Sequence, residues 1–289
     1  MRIQHNLSAM FALRQFAIHQ KLCERSILRL SSGYRINSAA DDPAGLAVSE
    51  KMRSQIRGLG AARNNTQDGI SLIQTAEGNL NEVHSILDRM MELATQSANG
   101  TYQNETDRKF SEKEFDALRN EIDRIANTTQ FNGQYLLNGN FAKKEGPKPG
   151  GLTLQVGADG SAASRFTTYL PNMGAAALGI ADVSILTQED ARKAMESIKK
   201  AIDNVSEARA DMGAAQSALE HTLSCIDTMS ENLTSAESRI RDVDMAAEMM
   251  ELAKQNVLMQ ASLAMLAQAN QQPQLILKLL DSCYVKHDK

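Results

Sequence analysis

The sequence predicts a mainly α fold: long antiparallel helices forming a coiled-coil rod, with one small β-hairpin region. Three observations carry that prediction. First, only 4% of the 289 residues are aromatic, with no Trp and 5 Pro, while Ala, Leu, Ile, Met and Gln recur among charged residues. A chain without the large aromatic payload of compact cores, rich in small helix formers, packs helices side by side. Second, Ala191, Ala194, Ile198, Ala201, Val205, Ala208, Met212, Ala215, Leu219, Thr222, Ile226, Met229, Leu233, Ala236 and Ile240 follow one another at unbroken spacings of three and four. Only Thr222 is polar, and the period is that of a coiled-coil seam. Third, Met52, Ile56, Leu59, Ile70, Ile73, Leu80, Val83, Leu87, Met90 and Ala94 supply an upstream stripe of similar length.

The elements follow in chain order. Near the start, Leu7, Phe11, Ile18 and Leu22 fall on one helical face, with Met10, Leu13 and Ala17 beside them. Asp42 and Pro43 mark a helix start, Asp as the N-cap and Pro at the first helical position. The pattern weakens around Gly58, Leu59 and Gly60 and between Arg63 and Gln67, where a bend or loop is expected. Asn99 and Gly100 end this helix. A second helix spans about 107–128, with Phe115, Leu118, Ile122 and Ile125 on one face, and QFNG at 130–133 reads as a turn. Residues 143–151, KKEGPKPGG, read as a linker or exposed loop. Leu152, Leu154 and Val156 alternate, a turn follows at Ala158, Asp159 and Gly160, and a second run lies near 165–170. This hairpin is the one β structure the sequence predicts.

Thr187 with Asp190 opens the long helix in a capping arrangement, and at 1.5 Å per residue it spans about 75–80 Å. Such a helix cannot bury its stripe alone. The last helix carries two stripes, Ala246, Met250, Ala253, Val257, Ala261 and Ala264, and beside it Met249, Leu252, Met259, Leu263 and Leu266, interrupted by Asn256. Two apolar faces ask for more than one neighbour. Pairing of the two ends within the chain leaves the second face exposed, which predicts contact with other copies. The alternative is that the ends fold back on the rod as a helical bundle.

Chemistry is scarce. Net charge is −4 and the basic residues are dispersed, which gives no footprint for nucleic acid. No run of 18 apolar residues is present, so membrane insertion is not expected, and the first residues lack the apolar core of a cleaved secretory signal. Cys23, Cys225 and Cys283 are widely spaced and form neither a disulfide framework nor a zinc site. His5, His19, His84, His221 and His287 are scattered, and no metal-binding, nucleotide-binding or nucleophile motif occurs. No cofactor and no catalysis are expected. Asp41 and Asp42 read as capping acids rather than a catalytic pair. Residues 239–244 alternate charge with apolar side chains, as at a solvated helix junction or a register-fixing contact between neighbours.

Longer strings carry a family resemblance. LSSGYRIN (30–37), DDPAGLA (41–47), NTQDGISLIQTAEG (65–78), TQFNG (129–133), SRIRDVDMA (238–246) and AMLAQANQQP (264–273) occur in this order. The chain resembles bacterial flagellin over about 1–142 and 185–280. The resemblance implies a structural subunit, not an enzyme, that self-assembles into the extracellular flagellar filament for swimming. It also implies a domain plan. Terminal helices 1–42 and 245–289 form the inner-tube coiled coil, 43–142 with 185–244 form a helical rod domain, and 143–184 stands in place of the variable outer domain.

Subunit assembly falls to Leu7, Phe11, Ile18, Leu22, Met249, Leu252, Val257, Met259, Leu263 and Leu266. The implied partners are other flagellin copies, hook-associated and cap proteins, and an export chaperone at the C-terminal helix, with secretion through the flagellar type III apparatus. A hook–filament junction protein is the alternative reading. The family's receptor pattern, Arg-x-Arg-Glu-Leu-Ala-x-Gln, reads RMMELATQ at 89–96. Arg89, Leu93 and Glu114 match the family's contacts to Toll-like receptor 5, with Met91 in place of an arginine, which implies weakened binding. The chain departs from the family in its three cysteines, in the stretch 19–27, and in the tail 281–289.

Overall fold

The computed structural model describes residues 6–101, 103, 106–142 and 150–285, with side chains up to residue 275. Of the sequence expectations, the linker at 143–149, His5, His287, the side chain of Cys283 and the last four tail residues lie outside the described residues. The fold is mainly α. Five helices, α1 (Leu7–Ser32), α2 (Pro43–Ser97), α3 (Asp107–Thr128), α4 (Gln188–Arg241) and α5 (Met245–Val285), are joined by two small antiparallel strand pairs. The strands are β1 (Gln130–Phe131), β2 (Gln134–Tyr135), β3 (Leu152–Gln155) and β4 (Arg165–Thr168). Two compact units emerge, Met1–Ser54 with Leu233–Lys289, and Gln55–Asn232.

The helix ends are set by local chemistry. The N–H of Ala9 donates to Asn6 Oδ1 at 3.1 Å, and Gly33, at φ 74°, closes α1 by donating to Arg29 O. The N–H of Gly45 donates to Asp42 Oδ1 at 2.9 Å, which caps α2 just before Pro43. Asp190 N–H donates to Thr187 Oγ1 at 3.1 Å, and Ala246 and Ala247 both donate to Asp244 Oδ1. Each cap satisfies donors that the first turn of a helix leaves without partners.

In the Gln55–Asn232 unit, nine seam positions of α4 are buried: Ala191, Ala194, Ile198, Ala201, Val205, Ala208, Met212, Leu219 and Ile226. All but Ile226 share one core with Leu72, Ile73, Leu80, Val83, Leu87 and Met90 of α2 and with Phe115 and Ile122 of α3. Alanines on α4 against larger side chains on α2 let the two backbones approach closely. The helices run antiparallel, since Arg63 pairs with Asp227 at 2.9 Å while Glu77 pairs with Arg209 at 4.0 Å. Ala215 and Thr222 are half-buried and Met229 is 49% exposed.

Two expectations need correction. The bend expected between Gly58 and Gln67 does not occur, and α2 is continuous from Pro43 to Ser97. The glycines there make room rather than break the helix. A Cβ at Gly58 would sit 2.8 Å from the Cβ of Ala158, and one at Gly69 would sit 2.4 Å from Leu154 Cδ1. The β3–β4 hairpin lies against this stretch of α2, and Asn65 Nδ2 donates to Gln155 O at 3.1 Å. Glycine costs a helix about 1 kcal/mol relative to alanine, and the docked hairpin offsets it. Second, β3–β4 is not the lone β structure. The turn at 130–133 is the tip of the β1–β2 pair, with Asn132 at φ 48° and Gly133 at φ 78°. Two central residues with positive φ give the two-residue turn that matches strand twist.

Residues 170–185 form an irregular strap rather than a plain linker. Leu170, Met173, Ala175, Leu178, Ile180 and Ile185 are all buried in the core. The strap is tied to α3 by Ala175 N–H to Asp123 Oδ1 (2.8 Å), Arg119 Nη1 to Val183 O (3.2 Å) and Ile185 N–H to Glu112 Oε2 (2.7 Å). Arg108, 4% exposed, donates to the carbonyls of Ser97 and Asn99 and so satisfies the C-terminal end of α2.

Candidate functional site: the outward faces of the terminal helix pair

In the other unit, α1 packs antiparallel on α5. Asn6 Nδ2 donates to Ala269 O at 2.8 Å at one end, and Arg29 pairs with Glu248 at 3.6 Å at the other. The seam positions of α1 are Ala9, Ala12, Phe16, His19, Cys23, Ser26 and Leu30, all buried or half-buried and spaced three and four. On α5 they are Leu252, Gln255, Met259, Ser262, Leu266 and Ala269, with the same alternation. This is a heptad seam, apolar at most positions but interrupted by His19, Ser26, Gln255 and Ser262.

At its centre a chain of hydrogen bonds crosses the seam. Gln255, 5% exposed, donates through Nε2 to Glu251 Oε1 at 2.5 Å, and its Oε1 faces His19 Nδ1 at 2.8 Å. A carboxylate only accepts, so the Gln255 nitrogen must face Glu251 and its oxygen must face His19. His19 therefore carries a proton on Nδ1. The bond from Gln255, with that from Lys254, holds the Glu251 carboxyl below its ordinary value. Nearby, the Cys23 thiol donates to Asn256 Oδ1 at 3.3 Å.

Other large apolar side chains lie on the outside. Ala246, Met250, Ala253, Val257, Ala261 and Ala264 run along the back of α5, and every one is exposed. Met250 is 70% and Val257 64% exposed. On the back of α1, Leu7 is 67%, Phe11 59% and Ile18 44% exposed. The ten residues expected to serve assembly thus divide. Leu7, Phe11, Ile18, Met249, Val257 and Leu263 face outward, whereas Leu252, Met259 and Leu266 occupy the seam and Leu22 borders it half-buried. Seam positions 252, 255, 259, 262, 266 and 269 keep heptad spacing through polar Gln255 and Ser262, so neither apolar stripe of the sequence marks the seam.

The junction at 239–244 is built rather than solvated. Arg35 N–H donates to Arg241 O at 2.7 Å, and Val243 N–H donates to Gly33 O at 3.0 Å. The Arg241 guanidinium lies over the Tyr34 ring, 4.9 Å from its centroid, and meets Glu50 at 2.6 Å. Cation–π and charge-assisted bonds on one arginine fix the two connectors to each other. Composition alone gives no sign of this pairing.

The other residues singled out in sequence lie in the Gln55–Asn232 unit. Arg89 bonds Glu92 and Glu114, each at 2.8 Å, and these pairings hold its guanidinium more firmly protonated. Arg89 and Glu114 are open to solvent, but Leu93 is 2% exposed and belongs to the core beneath them. Met91 is half-buried against the same core. Leu93 therefore offers no surface of its own, because its place on α2 faces the packed side.

Among the described residues no group of three or more His, Cys, Asp or Glu is arranged to hold a metal ion, and no helix is long and apolar enough to cross a membrane. Comparison with known proteins agrees on one family. The bacterial flagellin N-terminal helical region matches residues 3–142, and the bacterial flagellin C-terminal helical region matches 195–280. A flagellin of Halalkalibacterium halodurans is 51% identical over 280 residues, covering 97% of this chain and 100% of the relative. A flagellin of Bacillus subtilis is 47% identical, with the same coverage. The structure of a putative flagellar hook-associated protein from Vibrio parahaemolyticus shares the fold, with TM-score 0.56 at 15% identity over 70% of this chain and 100% of that one. The chain belongs to the bacterial flagellin family, a family of structural filament proteins and not of enzymes.

Proposed function

We propose that this chain polymerises into an extracellular bacterial flagellar filament that serves swimming, and that copies meet through the outward faces of α1 and α5. The observation that carries this reading is the helix pair with apolar side chains left outside its seam: Val257, Met250, Leu7 and Phe11 face away from it. Apolar side chains in a continuous outward stripe are stabilised only when something covers them. A second copy supplies a matching stripe. In the assembled filament, residues 1–42 with 245–289 form the inner tube, 43–142 with 185–244 surround it, and 143–184 stands in place of an outer domain, its part from 170 on packed into the core. Export through the flagellar type III apparatus, a chaperone on the C-terminal helix, and hook-associated and cap proteins as end partners complete the reading.

The test is seeded polymerisation of the full-length chain beside versions lacking residues 1–32 or 245–289, followed by sedimentation and electron microscopy. Long filaments from the full chain and none from either truncation are expected. Undiminished assembly of a truncated chain sinks the assignment. Short caps or plugs in place of filaments from the intact chain favour the hook–filament junction reading.

A second reading rests on the exposed Arg89–Glu114 pair. Toll-like receptor 5 recognises this face weakly, with Leu93 supporting it from beneath and Met91 lacking the charge of an arginine. Binding of soluble chain to the receptor ectodomain, strengthened by Met91→Arg, is the expected result. No binding by either chain removes it.

A further inference from the structure

Methionine is sorted by exposure. Met90, Met173 and Met212 are at most 3% exposed. Among the described residues six others are exposed by 49% or more: Met10, Met229, Met245, Met249, Met250 and Met265. Five of these six lie on α1 or α5, and Met245, Met249 and Met250 fall in the first turns of α5. The thioether is apolar and adaptable, which suits a face that fits against a neighbour. It is also the apolar side chain whose polarity a mild two-electron oxidation reverses, and solvent access governs how readily that happens.

Resting on the assembly reading above, we propose that Met245, Met249, Met250 and Met265 are oxidation-sensitive positions along α5 through which hydroperoxides control polymerisation of the free chain. A sulfur lone pair attacks one peroxide oxygen and the O–O bond breaks. The S=O bond forms, and the departing oxygen leaves as water from hydrogen peroxide or as an alcohol from an organic hydroperoxide. Sulfur loses two electrons and the peroxide gains two. At Met250 the product is a strong acceptor beside Ala246, Ala253 and Val257, which offer it no side-chain donor. Burying such a group without a partner is unfavourable, so the oxidised face resists being covered. Once copies have joined, the contact shields the thioether. Because the sulfoxide is reducible, the control is reversible.

The test treats full-length chain with hydrogen peroxide, maps sulfoxides by peptide mass and follows seeded polymerisation by sedimentation. Oxidation is expected at the four α5 positions and not at Met90, Met173 or Met212, with polymer yield falling about tenfold. Methionine sulfoxide reductases restore it. A chain with all four residues changed to Leu, a volume-conserving substitution, polymerises equally before and after peroxide. Cys225, Met10 and Met229 are exposed and present in both chains, so an equal loss in both places the effect outside the four α5 methionines and overturns the proposal. Full polymer from oxidised wild type overturns it too, as does a loss that the reductases fail to repair. Should the fourfold variant not polymerise untreated, the reductase arm on wild type decides. In preformed filaments Met229 is oxidised while Met250 is spared; equal rates place Met250 outside the contact and defeat the idea. If untreated wild type does not polymerise, the assembly reading falls and this proposal with it.

Discussion

The seam of α4 in the Gln55–Asn232 unit and the seam between α1 and α5 obey the same three-and-four spacing and use it in opposite ways. Along α4 the seam positions are Ala, Ile, Val, Met and Leu, nine of them buried, and their partners on α2 and α3 belong to the same chain. Between α1 and α5 the seam mixes Phe16, Leu252, Met259 and Leu266 with polar His19, Ser26, Gln255 and Ser262, while Leu7, Phe11, Met250 and Val257 look outward. The first region finishes its core by itself. The second keeps its apolar area for something outside the chain. Heptad spacing therefore says that a helix has a partner, and the polarity of the buried positions says whether that partner is enough.

The sharpest way to break this contrast is Val257→Lys. On the outward stripe of an isolated chain it changes stability by no more than about 0.5 kcal/mol. In a covered contact it leaves a charge without a partner, and the concentration needed for polymerisation rises about a hundredfold or more. Light scattering against protein concentration reads this, and an unchanged threshold removes Val257 from the contact.

Leu87→Ala is the counterpart in the closed core. Leu87 is 0% exposed, so the substitution costs about 2–5 kcal/mol in denaturant unfolding of the Gln55–Asn232 unit. A loss below about 1 kcal/mol shows a looser core than its burial indicates. Gly69→Val comes next. The Cβ meets Leu154 Cδ1, and overpacking there costs about 1–3 kcal/mol. Limited proteolysis between β3 and β4 reads the hairpin's release from α2. Equal cleavage of both chains argues that Leu154 moves aside.

The polar seam yields a sign test. His19→Leu strands the Gln255 oxygen and costs about 1–3 kcal/mol, whereas His19→Leu with Gln255→Leu is near neutral or stabilising. Helix content on heating distinguishes them, and a double variant weaker than the single one shows that the polar chain holds the pair together.

The smallest effect concerns acid. The Ser38 hydroxyl and N–H, with Arg25 and the Asn37 N–H, hold the Asp41 carboxyl below its ordinary 3.8. Its proton binds less readily in the folded chain, so the stabilisation is present above about pH 4 and lost as pH falls through the folded value. Acid unfolding of wild type and Asp41→Asn, followed by circular dichroism, should differ at neutral pH and converge below about pH 3. Parallel curves throughout exclude Asp41 as the source.

How far the sequence went can be judged at particular residues. Asp42 with Pro43, Thr187 with Asp190 and the 107–128 helix were legible because caps and amphipathic periods act over one or two turns. Gly58 was misread because a glycine in a helix looks the same whether it breaks the helix or admits a neighbour. Arg108 carried no local mark of burial, since its acceptors are the Ser97 and Asn99 carbonyls across a turn. Leu93 matched a family string but faces inward, because a motif does not say which side of a helix is covered.

By itself, the sequence determined that this chain is helical, which long helices carry seams, and which family it belongs to, since these rest on short-range periodicity and on strings read directly. The tertiary structure alone decided which apolar face of α5 is spent inside the chain and which remains open. That choice depends on His19 meeting Gln255 across 236 positions, a pairing made by the packing of two distant helices that neither helix encodes alone.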